Sequence, residues 1–485
     1  SSERTAGGGQ GRFSLTGQGS LNGAPFRASV VGDPLLDVDP NRPYDFAADI
    51  RAGAMRASAR GRVPHPFNFA QVEAEGRISG EDLANLYYLT GLTLPNTPPY
   101  DVSGRVSRNG ERFAIDITRG RIGSSDIAGR LAVAKVGGRR KLTGDLASHK
   151  LNLADLTATL GGAPKGVLKR TVASPRQEAV AARMTAAHRV LPDARLEVPR
   201  IRNMDADVRY RAGSVAAGPL PIRALALHVI LDRSLLVIDP LSATLPLGSL
   251  AGRVSLDARG GEPVTTIDLS LANAEVQELL PTKPKGPAPF AGPLAASARL
   301  RGVGDSVRKA AASANGVVAV AIPHGQMRQL FAELLGIDVG KSLFLYLSKD
   351  EKPTPIRCGV AIFRARNGVL VAQTLVLDTG AVLAQGKGYI DLRNETLNLE
   401  VAGKPKHLRL LRVAAPITLT GRFDAPKPGV EIAKALPQAG IGAALGALVS
   451  PLAALLPFIS TGGAKNANCP ALLSQARADG APLGR

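Results

Sequence analysis

The chain has no tryptophan, and aromatic residues make up only 4% of its 485 residues. A thick aromatic core is therefore excluded. So are the stacked aromatic platforms on which single-stranded nucleic acids bind. Cysteine is nearly absent: Cys358 and Cys469 stand alone, with no Cys-x-x-Cys pair. That excludes a cysteine zinc site and a disulfide-dense scaffold. One disulfide in an oxidising compartment and two free buried thiols both fit this count. The six histidines (His65, His149, His188, His228, His324, His407) include no pair at metal-ligand spacing. No Gly-x-Ser-x-Gly elbow and no phosphate-binding loop occurs. Gly440-Ile441-Gly442-Ala443-Ala444-Leu445 fails the dinucleotide fingerprint at its third glycine. No catalytic residue, metal or cofactor is expected, and an enzyme is not the expected class.

What is present is small and aliphatic. Hydrophobic residues are 45% of the chain, with 53 glycines and 35 prolines, a composition for many short strands and turns. Period-two alternation recurs, as in Phe113-Ala114-Ile115-Asp116-Ile117, Leu225-Ala226-Leu227-His228-Val229 and Leu397-Asn398-Leu399-Glu400-Val401. Each run sets apolar side chains on one sheet face and polar ones on the other. Asn109-Gly110, Gly260-Gly261 and Asn367-Gly368 are hairpin turns between such runs. Short helices are expected after Asp82, after Asn152, from Asn273 to Pro281 and from Gln326 to Gly336.

A unit recurs in which glycine precedes an alternating strand. Gly129-Arg130-Leu131, Gly252-Arg253-Val254-Ser255-Leu256-Asp257 and Gly388-Tyr389-Ile390-Asp391-Leu392 are three copies. Repeated strand units that cannot bury a face alone imply an extended sheet. The expected fold is mainly β: an elongated, curved antiparallel sheet forming a groove, with a few short α-helices. Residues 1–163 form its N-terminal part and 200–435 its C-terminal part, with a basic linker or excursion at 164–199. Residues 436–485 form an apolar helical end segment and tail. Prolines 437, 451 and 457 break the charge-free stretch 436–460, favouring two short helices over one membrane span, which needs about 20 apolar residues.

The formal net charge is +20, which points toward anionic partners. The arginines are spread singly along strands, as Arg105, Arg108, Arg112, Arg119, Arg121 and Arg130 are. A solvated outer face explains such spacing, and no nucleic-acid motif accompanies it. A sheet with one aliphatic face can hold acyl chains, gaining about 0.8 kcal/mol per buried methylene. Candidate groove positions are Phe113, Ile115, Ile117, Leu225, Leu227, Val229, Val369, Val371, Leu397 and Leu399. Periodicity alone does not separate such a groove from a closed sandwich.

Several blocks, in order along the chain, resemble the AsmA family. They include Phe13-Ser14-Leu15-Thr16-Gly17, Tyr87-Tyr88-Leu89-Thr90-Gly91-Leu92, Gly123-Ser124-Ser125-Asp126-Ile127 and Met204-Asp205-Ala206-Asp207. The most specific are Pro355-Ile356-Arg357-Cys358-Gly359, Leu375-Val376-Leu377-Asp378-Thr379, Lys404-Pro405-Lys406 and Asn468-Cys469. The resemblance implies a large body in the periplasm of a Gram-negative cell envelope. It implies an N-terminal helix in the inner membrane, lying outside this chain, which opens Ser1-Ser2-Glu3-Arg4-Thr5 without a signal peptide. It implies phospholipids as partners and a part in outer-membrane lipid homeostasis. The alternative it leaves is a scaffold for outer-membrane protein assembly. It also supports pairing Cys358 with Cys469, since periplasmic chemistry is oxidising.

Overall fold

A computed structural model describes residues 13–21, 24–34, 38–66, 68, 70–86, 94–157, 179, 182–184, 186–193, 202–217, 222–279, 290–328, 353–407, 416–430 and 462–483. The segment 436–460, expected to be helical, lies outside them.

Alternating runs and glycine turns produce a meander. The first nine strands are β1 (Phe13–Leu21), β2 (Ala24–Gly32), β3 (Tyr44–Ala52), β4 (Met55–Val63), β5 (Gln71–Gly80), β6 (Tyr100–Asn109), β7 (Arg112–Ile122), β8 (Ser125–Val136) and β9 (Arg139–Ser148). Each pairs antiparallel with the next. β10 (Leu151–Asn152) then opens the crossover to β11 (Met204–Ala212), which lies parallel to β9. This parallel pair carries the sheet unbroken across the excursion. β12 (Val215–Ala216) pairs with β10 as a separate two-stranded ribbon.

The meander resumes through β13 (Ala224–Asp232), β14 (Leu235–Thr244), β15 (Ser249–Asp257) and β16 (Val264–Glu275). Past the short β17 (Phe290–Ala291) come β18 (Pro293–Val303), β19 (Asn315–Ile322) and β20 (Gly325–Arg328). β21 (Pro353–Arg366), β22 (Val369–Thr379), β23 (Val382–Asp391), β24 (Thr396–Pro405), β25 (Ile417–Arg422) and β26 (Ala425–Val430) complete it. The result is one 24-stranded sheet. β1 and β26 do not pair with each other, so it is not a barrel.

The sheet bends for reasons visible in its glycines. A Cβ on Gly104, Gly129, Gly252, Gly316 or Gly388 would stand 2.0–2.2 Å from a backbone oxygen of the adjacent strand. Only glycine permits that approach, and glycine kinks together with bulges are how sheets curve. Bulges occur between Ile117 and Gly120, Leu227 and Val229, Ile238 and Leu241, and Leu271 and Ala274. Gly129, Gly252 and Gly388 are the glycines of the repeated sequence unit, so the repeat marks recurring bends.

Helices are few and short. Asp82 accepts from the Ala84 amide at the start of a single 3-10 turn, Leu83–Leu86. Asn152 does the same for Ala154 at α1 (Leu153–Thr157). One expected helix is corrected: residue 273 lies inside β16, and among the described residues a single turn, Val276–Glu278, follows it. Gln326, where another was expected to begin, lies in β20, paired with β21, and residues 329–336 lie outside the described residues. α2 (Val307–Ala312) is capped by the Ser306 hydroxyl, which accepts from the Lys309 amide.

The last helix, α3 (Cys469–Ala478), packs Ala476 against Ala319, Ala321, Val360 and Ile362. A disulfide between Cys358 and Cys469 fixes it there. Beside it the fully buried Asp378 accepts from the Ala467 amide at 2.9 Å and Arg357 Nε at 3.3 Å, and pairs with Lys406. With the disulfide to β21, the Ala467 bond to Asp378 in β22 and a bond from Lys406, just past β24, to the Asn466 side chain hold the C-terminal segment in place.

Gly316→Ala puts a methyl group against the Arg299 carbonyl, at a φ of +143° that alanine avoids. Its expected cost is about 1–3 kcal/mol. Gly110→Ala sits in a turn with open space and costs less. Urea unfolding of both variants checks the order.

A continuous apolar lane on the concave face

Residues paired across strands point to the same face. Following the register from Ile115 through every strand of the meander therefore traces one line across one face. That line reads Phe13, Gly32, Phe46, Gly61, Ala74, Val106, Ile115, Leu131, Gly144, Val208, Val229 and Ile238. It continues through Val254, Ile267, Leu300, Gly316, Ala365, Leu370, Ile390, Leu397, Gly421 and Pro426. No polar residue interrupts it. A second line beside it runs from Leu15 through Ile117, Leu227 and Leu269 to Phe363. Its polar member, Tyr210, satisfies its hydroxyl on Ser148 at 2.8 Å. The crowded glycines all stand on this face, which makes it the concave one.

The lane is buried at Ala74, Ala365 and Leu370 and partly open elsewhere. Ile115, Leu131, Val208, Val229, Ile238, Val254, Ile267 and Leu397 are only partly buried. Leu15 and Phe113, on the same face, are 52% and 46% exposed. Part of the lane is roofed: Leu86 shares a buried cluster with Ile117, and Leu94 packs against both that cluster and the one that includes Leu142. Helix α3, in contrast, covers the convex face, because Ala319 and Ile362 alternate with the lane residues Val318 and Phe363.

Eight of the ten sequence-derived candidates (Phe113, Ile115, Ile117, Leu225, Leu227, Val229, Leu397 and Leu399) fall on the concave face. Val369 and Val371 do not. In β22 the register assigns Leu370 and Ala372 to the lane, so Val369 and Val371 take the opposite face, opposite Arg366 and Arg364. β22 is apolar on both faces, and its alternation carries no phase until it is paired.

The convex face is charged in register. Arg60, Glu75, Arg105, Asp116, Arg130, Asp145, Arg209 and His228 lie in one cross-strand line, nearly alternating in sign. His228 also reaches Asp207 at 2.7 Å, and this hydrogen bond holds the Asp207 carboxyl below its ordinary range.

Three cations break this division of faces. Arg108, Lys135 and Arg140 stand on the concave side at one rim, over β6, β8 and β9. Arg108 lies 5.0 Å over the Phe113 ring and donates to the Gly110 carbonyl at 3.1 Å. Lys135 and Arg140 are direct cross-strand neighbours of like charge. Single spacing in sequence places Arg108 with its outward-facing neighbours, and strand parity is the signal that separates it.

A strap runs along the same rim. Buried Glu395, in the β23–β24 turn, accepts from the Val190 and Leu191 amides. It lies 3.7 Å from Arg189 and 3.6 Å from Arg308. Asp193 accepts from Ser306, and Arg202 donates to the Gly260 carbonyl. The described part of the excursion is thus tied to the sheet rim. Among the described residues no group of His, Cys, Asp and Glu suits a metal. No helix among them is long and apolar enough to cross a membrane.

Two comparisons with known proteins agree on kinship. The AsmA family model matches residues 5–375. The AsmA family protein YhjG of Escherichia coli strain K12 is 31% identical over 475 residues, covering 96% of this chain and 68% of YhjG. The chain belongs to the AsmA family.

Proposed function

We propose that this protein is a non-enzymatic lipid carrier of the cell envelope, holding phospholipid acyl chains along the concave face of its sheet. The observation that carries this reading is the uninterrupted apolar lane, partly open to solvent, running perpendicular to every strand. An acyl chain laid along it leaves water at about 0.8 kcal/mol per methylene. No position along the lane presents a buried charge as a barrier, so chains can shift from strand to strand. Family membership supports the same reading. The disulfide Cys358–Cys469 fits an oxidising compartment, the periplasm. The full-length protein is then held at the inner membrane and serves outer-membrane lipid homeostasis.

The cations at the rim give the lipid an orientation. Arg108, Lys135 and Arg140 adjoin Phe113, Val133 and Leu142 on the concave side. A phosphate headgroup there would meet the charge of Arg108 and Lys135, while its chains enter the lane.

Mass spectrometry of organic extracts from protein purified without detergent tests this. Stoichiometric phospholipid is expected. Leu227→Asp should abolish it while the protein stays folded, since Leu227 is only partly buried. Replacing Arg108, Lys135 and Arg140 by Gln should lower the anionic fraction of the lipid recovered. Folded, monodisperse protein without lipid, or with a stoichiometric protein partner in its place, contradicts the reading.

A further inference from the structure

The convex face sets opposite charges against each other, and one row departs from this. Arg60, Glu75, Arg105, Asp116, Arg130 and Asp145 follow one another from β4 to β9. Arg253, Asp268 and Arg299 repeat the pattern over β15, β16 and β18. Around the β3–β4 turn the pattern fails. Arg51 and Arg56 are direct cross-strand partners, and Arg51 is also the partner of Arg27 in β2. No bulge interrupts these three strands, and each arginine lies an odd number of residues from the lane positions Gly32, Phe46 and Gly61. All three therefore stand on the convex face, and all three are exposed. Among the described residues none of their side chains makes an ion pair or a hydrogen bond. Like charges directly opposite each other repel. Asp49, one row away on the same face, stands opposite Ser29 and Ser58 and pairs with none of the three. Arg77, one strand and one row away, differs: Asp101 accepts from its Nε at 2.9 Å.

The chemistry of the row defines its partner. All three cations are arginines, whose planar forks match phosphate oxygens two at a time. The side chains beside them on that face, Gln18, Ser29, Ser58 and Ser79, are neutral, and none is a ring on which a nucleobase could stack. A linear polyanion is held by a basic groove that tracks its backbone. Here the row stops after three strands, closed by Gln18 on one side and Ser79 on the other. Arg51 and Arg56 flank the exposed turn Gly53-Ala54, so a flat surface reaches the row at the rim of the sheet. We propose that Arg27, Arg51 and Arg56 form a docking row for the phosphate groups of an anionic phospholipid bilayer. The bilayer is held by surface charge on the convex face, and the lane on the opposite face takes no part. Docking there holds whether or not lipid fills the lane.

Co-sedimentation of the 485-residue chain with vesicles tests it. Binding is expected to vesicles of equal parts phosphatidylglycerol and phosphatidylcholine, with little to phosphatidylcholine alone. Arg51→Gln should weaken it about fivefold, and Arg27→Gln, Arg51→Gln and Arg56→Gln together about a hundredfold. Arg60→Gln, Arg105→Gln and Arg130→Gln together remove the same charge from the alternating line and should weaken it far less. Equal losses in the two triple variants would mean that net charge alone binds the vesicles, and would overturn the proposal. So would capture by dextran sulfate without binding to vesicles, because the partner would then be an acidic polymer. Leu227→Asp should keep vesicle binding, and the arginine triple variant should keep its extracted lipid, which separates failure of the row from failure of the lane. Loss of vesicle binding in Leu227→Asp would place the contact in the lane and overturn the proposal. Arg51→Gln stands as a test even where the triple variant misfolds.

Discussion

Everything in this molecule depends on register. A sheet has a side-chain period of two, so a slip of one residue in any strand would turn its apolar set to the wrong face. Here the register is kept from β1 to β26, through bulges and across the parallel β9–β11 pair. An apolar line one residue wide is thereby continuous over the whole sheet. The hairpin glycines keep this register. Asn367 and Gly368, both at positive φ, form a two-residue turn that sets β21 against β22 without slack.

Curvature and covering follow from the same alternation. Glycines on the concave side let adjacent backbones approach, while the convex side carries paired charges. The covering helix, α3, is fastened to the convex side by the Cys358–Cys469 disulfide and the Asp378 cluster. Among the described residues the concave face has a partial roof over β6 to β9, the β10–β12 ribbon beside Ala212, a buried cluster of Phe363, Ala365 and Leu370, and partly buried aliphatic side chains between them. In a closed sandwich a second sheet would cover that face. Among the described residues no second large sheet covers it, and the apolar line runs from β1 to β26.

Much of this was legible in sequence because it is local. Alternation in Phe113-Ala114-Ile115-Asp116-Ile117 fixes which residues share a face, and the repeated glycine before Leu131, Val254 and Ile390 marks the bends. What stayed hidden needs a partner strand to define it. Val369-Leu370-Val371-Ala372 is apolar throughout, and only pairing with β21 shows that Leu370 faces the lane. Gln326 has helix-compatible neighbours, and long-range pairing with β17 and β21 holds it in a strand. Arg108 looks like any strand arginine until parity places it beside Phe113. The Glu395 anchor joins residues 204 and 205 positions apart, which no local pattern reveals.

The central claim is that the concave face, and not the convex one, holds acyl chains. Site-specific photo-crosslinking at Val229 and Ile230 tests it most directly. These neighbours are both β-branched, but Val229 lies in the lane and Ile230 on the charged face opposite Asp207. The account predicts phospholipid adducts at 229 and none at 230. Equal labelling at both, or none at 229, would contradict it.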